Sequence, residues 1–190
     1  MSKYLESYFI YNNDKNYMPG MSIWFTAIAL ACQGVAMPLG GMFGKRFGCK
    51  PTILIASVIH ISSIILSYFT IKAGFIYMIL TYSIMMAIGF GFAYSVVLET
   101  ASSWFPEKKG LVVGMISSGF GFGAIIFTPI QAAIINPDNI PMNTTTKVFT
   151  DPKIIKQVPN SFLILGCILT CLHFVGNIFI DKYPVNNKFK

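Results

Sequence analysis

The chain has 190 residues, of which 11% are charged and 54% hydrophobic, with a mean hydropathy of +0.64. An average soluble domain carries about 25% charged residues, so this balance excludes a disordered chain and argues against a water-soluble domain. The net charge of +7 holds a single arginine, Arg46, and its lysines lie between apolar runs, which argues for membrane topology and against nucleic acid.

In chain order, residues 1–21 are polar and mixed, and they hold no apolar leader region. Five charge-free runs follow: Ser22–Gly44, Pro51–Ile71, Ala73–Leu98, Gly110–Ile135 and Ser161–Ile180. Each is long enough to cross a hydrocarbon core of about 30 Å as a helix rising 1.5 Å per residue. Helices are required, because lipid offers no partner to an unpaired peptide group. The expected class is an all-α polytopic membrane protein with spans at 22–44, 51–71, 75–98, 110–135 and 161–180. Between them lie loops at 45–50 and 99–109, a long loop at 136–160 and a tail at 181–190.

Loops alternate sides, so the basic residues orient the chain. Segments 45–50, 99–109 and 181–190 hold Lys45, Arg46, Lys50, Lys108, Lys109, Lys182, Lys188 and Lys190. Segments 1–21, 72–74 and 136–160 are longer together and hold fewer, namely Lys3, Lys15, Lys72, Lys147, Lys153 and Lys156. The first set is expected in the cytosol, with the N-terminus outside and the C-terminus inside, and a plasma membrane is the expected location, with an organelle membrane as the alternative. Asn143-Thr144-Thr145 is then a glycosylation sequon in an external loop.

Several residues invite a chemical reading. His60 and His173 lie mid-span, where an ionisable group is either functional or a neutral ring bonded to a neighbouring helix. Cys167 and Cys171 share a helix face, but His173 lies about 200° round from Cys171, so no metal site is expected. Gly119, Gly121 and Gly123 lack the strand and the Lys-Ser/Thr of a phosphate loop. Gly110–Gly114 and Gly119–Gly123 have small-xxx-small spacing, open to close helix packing or to passage of a substrate beside bare backbone. Gln33, Tyr94, Ser95 and Gln131 are polar groups within spans, open to helix bonding or to a wet cavity. No paired acids and no nucleophile–base motif lie within the spans, so no catalytic residue and no cofactor are assigned.

Gly40-Gly41-Met42-Phe43-Gly44-Lys45-Arg46-Phe47-Gly48-Cys49-Lys50 resembles the loop signature of the major facilitator superfamily through Gly41, Arg46, Gly48 and Lys50. Lys45 stands where that pattern has an acid, and Cys49 where it has a base. Trp104-Phe105-Pro106-Glu107-Lys108-Lys109-Gly110-Leu111, running into Gly114, resembles the entry to the fifth helix in the oxalate/formate antiporter and monocarboxylate transporter branch. Gln33 to Gly41 resembles that branch's second helix. The resemblance implies helices two to six of an N-terminal six-helix half, without the first helix or the second half of the transporter. It implies alternating-access transport of a small organic anion, with or without a proton, and no transport by this stretch alone. A stand-alone five-span interaction or assembly protein is the competing reading.

On that scheme the first, third and fourth spans border the cavity, and Gln33, Tyr94, Gly121 and Gln131 are the expected substrate contacts, with Gln131 toward the outer mouth. The second and fifth spans, with His60 and His173, are expected on the lipid side. Glu99, at the inner end of the third span, is expected to pair with Arg46 of the signature loop and so to favour one conformation.

Overall fold

A computed structural model describes residues 1–180, and these form helices and loops with no strand among them. The helices are α1 (Ser2–Tyr11), α2 (Ile23–Phe47), α3 (Cys49–Ala73), α4 (Phe75–Trp104), α5 (Lys109–Ile135) and α6 (Pro152–Phe179). The expected tail at 181–190, with Lys182, Lys188 and Lys190, lies outside the described residues. Helices α2 to α6 are each long and apolar enough to cross a membrane.

The helices outrun the apolar runs. The 25 residues of α2 rise about 38 Å, more than the hydrocarbon core needs, so the helix carries Lys45 and Arg46 in its last turn. Positive side chains are favourable there, beside unpaired carbonyls. The expected loop at 45–50 is therefore mostly helix. Gly48 alone separates α2 from α3, with φ 94°, a left-handed conformation that only glycine adopts freely. Gly74, at φ 131°, makes a second one-residue break before α4.

The start of α6 also corrects the sequence expectation. It begins at Pro152, well inside the segment expected to be loop to residue 160. Asp151 caps it by accepting the Lys153 amide at 2.7 Å, and proline suits the first turn, where its missing N–H leaves nothing unpaired. Within α4, Ile79–Met85 forms π turns, and Ser83 there is fully buried with its hydroxyl unpaired.

Close packing centres on α4. A methyl group at Gly40 of α2 would sit 2.5 Å from the Phe92 Cα, and one at Gly91 would sit 2.7 Å from the Ala36 Cβ. On the α3 side, a Cβ at Gly89 would lie 2.7 Å from the His60 backbone nitrogen. Small residues in lipid allow this approach of backbone to backbone. The glycines of α5 differ. Gly110, Gly114, Gly119, Gly121 and Gly123 have nothing within 4 Å of a Cβ placed on them, so of the two readings open for them close packing is not met among the described residues.

Residues 1–21, expected to be an external segment that includes the end of a preceding helix, fold into a cap over one end of the bundle. Leu5 and Phe9, one turn apart on α1, are buried with Tyr17, Phe25 and Phe75. The Phe9 ring lies 5.3 Å from Tyr17 and 5.8 Å from Phe75, and Phe25 lies 5.2 Å from Phe75. Hydrogen bonds hold the cap together and tie it to two other segments. The Glu6 carboxylate accepts the Gly20 amide at 3.0 Å and pairs with Lys3 at 2.9 Å. Asp14 accepts the Phe75 amide at 2.8 Å, at the start of α4, and the Ser7 hydroxyl accepts the Phe149 amide at 2.9 Å. Burial pushes the Glu6 carboxyl up, but Lys3, the Gly20 amide and the Ser22 hydroxyl outweigh it and hold the group below its ordinary range.

Candidate substrate cavity

A cavity of about 620 Å³ lies in the bundle, beneath the core that α1 helps to form. All five spans line it. Gln33 comes from α2, His60 from α3, Tyr82 and Phe90 from α4, Gln131 from α5 and Phe162 from α6. The wall is apolar apart from a few convergent polar groups, the usual make-up of a small-molecule site. No Asp, Glu, Lys or Arg lines it among the described residues. A carboxylate entering this space therefore finds no fixed opposite charge, and an isolated buried anion is strongly unfavourable.

Gln33 and Gln131 reach the cavity, but Tyr94 and Gly121 do not. Tyr94 lies one turn below Phe90, its ring stacked on it at 5.5 Å, and its hydroxyl meets Ser117 at 3.1 Å. Gly121 lies two residues from both Gly119 and Gly123, which do line the wall. Two residues turn a helix by about 200°, so Gly121 faces away.

The placement of the second and fifth spans on the lipid side is corrected. Helices α3 and α6 both supply cavity walls, and their two histidines meet. His60 Nδ1 stands 3.0 Å from His173 Nε2, with the rings 5.2 Å apart. The hydrogen bonds continue inward. His173 Nδ1 lies 3.1 Å from the Ser57 hydroxyl, and Asn177 Nδ2 donates to the same hydroxyl at 3.2 Å. A mid-span histidine is a visible signal in the sequence, but nothing in it says that residues 60 and 173 share an interface.

The expected Glu99–Arg46 pair is also corrected. Glu99 lies 3.8 Å from Lys45, with the two side chains 54% and 74% exposed. Arg46 turns its guanidinium over the Phe47 ring at 5.6 Å. Neighbouring positions on a helix point about 100° apart, so only one of the two cations can face α4. A pair this exposed contributes little, about 0–1 kcal/mol, and does not act as a buried lock. Of the other signature residues, Gly48 makes the turn, and Gly41 faces open space.

Five long apolar helices around a sparsely polar cavity define a multi-pass membrane protein. Residues 7–187 match the Major Facilitator Superfamily, and the chain belongs to it. It is 34% identical to apicoplast pyruvate carrier 1 of Toxoplasma gondii over 119 residues, 63% of this chain and 22% of that protein. It is 26% identical to monocarboxylate transporter 12 of Xenopus laevis over 112 residues, 59% of this chain and 24% of the relative. It is 25% identical to the oxalate:formate antiporter of Oxalobacter formigenes over 108 residues, 57% of this chain and 25% of that protein. The chain thus spans about a quarter of the length of the curated relatives it matches. No solved structure matches it significantly.

Proposed function

We propose that the chain is part of a secondary transporter for small organic anions, monocarboxylates first among them, and works by alternating access rather than as an enzyme. The cavity carries this reading: a small apolar chamber with amide and hydroxyl groups at a few points, inside the bundle of a transporter superfamily. The relatives' names support the substrate class. Helices α2 to α6 are read as helices two to six of a six-helix half, and α1 as the end of the first. The open flank of α5 supports this, since no part of its most apolar stretch is buried and its glycines face nothing. On this reading the 190-residue chain binds its anion but does not carry it, because a midplane site needs both halves around it.

Equilibrium binding and liposome uptake of labelled pyruvate test this together. The chain in lipid nanodiscs is expected to bind pyruvate, and liposomes holding it alone are expected to take up no more than protein-free ones. Gln33→Leu and Gln131→Leu are each expected to weaken binding about fivefold, the worth of one hydrogen bond near 1 kcal/mol. Uptake by the chain alone would overturn its incompleteness. Failure to bind pyruvate, oxalate or formate would overturn the substrate class.

The proposed orientation puts the cap outside the cell and Lys45 and Lys108 in the cytosol, in the plasma membrane. Asn143 reports on it. The residue is exposed, and its side chain accepts the amides of Thr145 and Thr146 at 2.9 and 3.3 Å. An Asn143→Cys variant is expected to react with an impermeant maleimide added to intact cells. Reaction only after permeabilisation would reverse the orientation or move the protein to an internal membrane.

A further inference from the structure

Resting on the organic-anion reading, the geometry points to His60 and His173 as a single one-proton site that supplies the cavity's counter-charge for a carboxylate. His60 lines the cavity, and it is the lining side chain there that can become a cation. Its Nδ1 is taken by His173, so Nε2 is the nitrogen left for the cavity, and that atom has no hydrogen-bond partner among the described residues.

The bond between the rings fixes the stoichiometry. A ring-to-ring hydrogen bond needs a proton on one nitrogen and a lone pair on the other, and an imidazolium has no lone pair. The bonded pair therefore carries one positive charge at most. Charging leaves every contact in place. A proton enters on His60 Nε2, His60 Nδ1–H donates to His173 Nε2, and His173 Nδ1–H donates to the Ser57 hydroxyl oxygen. Asn177 holds Ser57 in position by donating to the same oxygen. The imidazolium then offers Nε2–H to the anion, a charge-assisted bond about twice as strong as a neutral one.

Among the described residues no Asp, Glu, Lys or Arg lines the cavity to compete for the role. Facing the pair are Gly89 and Phe90 of α4, Ser57 of α3 and Asn177 of α6, with Gln33 and Tyr82 on the same cavity. The runs 51–71, 73–98 and 161–180 contain no Asp, Glu, Lys or Arg. Anion and proton thus enter as a neutral couple. His173 is a positioning residue, which accepts the hydrogen bond from His60 Nδ1–H and holds its ring.

The chain has two histidines, so ¹⁵N-histidine labelling reports on this pair and nothing else. The test follows the imidazole resonances of the full chain in nanodiscs while measuring pyruvate binding between about pH 5 and 8. The expected result is uptake of one proton by the two rings together, with a midpoint that rises when pyruvate is added. The pyruvate Kd should weaken about tenfold per pH unit above that midpoint, as linkage of one proton to one anion requires. His60→Gln should leave the Kd independent of pH, and His173→Gln should shift the midpoint and keep the pH dependence. The wild-type measurements stand alone if a variant fails to fold. Pyruvate binding that ignores pH, with unmoved histidine resonances, would overturn the proton site and leave the transport reading intact. Uptake of two protons would also overturn it. Absence of binding by pyruvate, oxalate or formate at every pH, in a folded chain, would overturn this site and the substrate class together.

Discussion

Gly40→Ala and Gly89→Ala are expected to destabilise the bundle by ~1–3 kcal/mol each, whereas Gly114→Ala and Gly121→Ala are expected to be neutral or slightly stabilising. All four changes add the same methyl group to a helix interior, and alanine is the better helix former at each. What differs is the space. At Gly40 the new methyl meets the Phe92 Cα at 2.5 Å and its carbonyl oxygen at 2.8 Å, and at Gly89 it meets the backbone of Ala56 and His60 within 2.9 Å. Backbone cannot step aside as a side chain can, so whole helices must separate, and packing is the main force that holds helices together in lipid. At Gly114 and Gly121 nothing stands within 4 Å. Reversible unfolding in mixed micelles would measure the four variants side by side. Equal losses at all four would show that α2, α3 and α4 do not meet through these glycines.

Phe9→Ala is expected to release the cap. Phe9 is 1% exposed and touches the rings of Tyr17, Phe25 and Phe75. Removing such a ring costs ~3–5 kcal/mol where the cavity left behind cannot collapse. The loss should be local, because α1 reaches the rest of the chain through side chains and loop contacts rather than through a continuous helix. Amide exchange should speed up at Gly20, Phe75 and Phe149, whose N–H groups are bonded to α1 or the turn after it. Amides in the middle of α2 and α3 should keep their protection. Uniform loss of protection across all five spans would mean that the cap and the bundle unfold as one unit.

The five spans were legible because lipid removes the need for polar contacts and leaves charge-free runs of the right length. The pairing of those spans was not legible, since a run hydrophobic on every side does not say which face meets which neighbour. That is why His60 and His173 were expected in lipid, although 113 positions apart they meet at 3.0 Å. Helix phase accounts for the cavity residues. Gln33 and Gln131 were legible as polar groups in apolar surroundings. Tyr94 and Gly121 have the right depth or chemistry but lie a turn below the cavity or on the far side of α5. The cap left a signal in Leu5 and Phe9, spaced for one helix face, but the segment was too short and too mixed to read as a folded unit. The early start of α6 was written in Asp151-Pro152, a start signal masked by its position in a long polar loop.

The cap and the cavity share a partition. Ile64, Tyr82, Met86, Phe162 and Leu169 belong both to the core beneath α1 and to the cavity wall. Tyr82 shows this directly, with its ring 6.1 Å from Phe25 on one side and 5.5 Å from Phe162 on the other. A molecule in the chamber therefore presses on the underside of the aromatic cluster around Phe9. The rings of Phe9, Tyr17, Phe25 and Phe75 are each packed against others of the set, so displacing one disturbs several contacts at once. The far side of that partition, Phe9, Tyr17, Phe25 and Phe75, is made of rings that do not line the chamber, so substitutions there reach the chamber only through the shared residues.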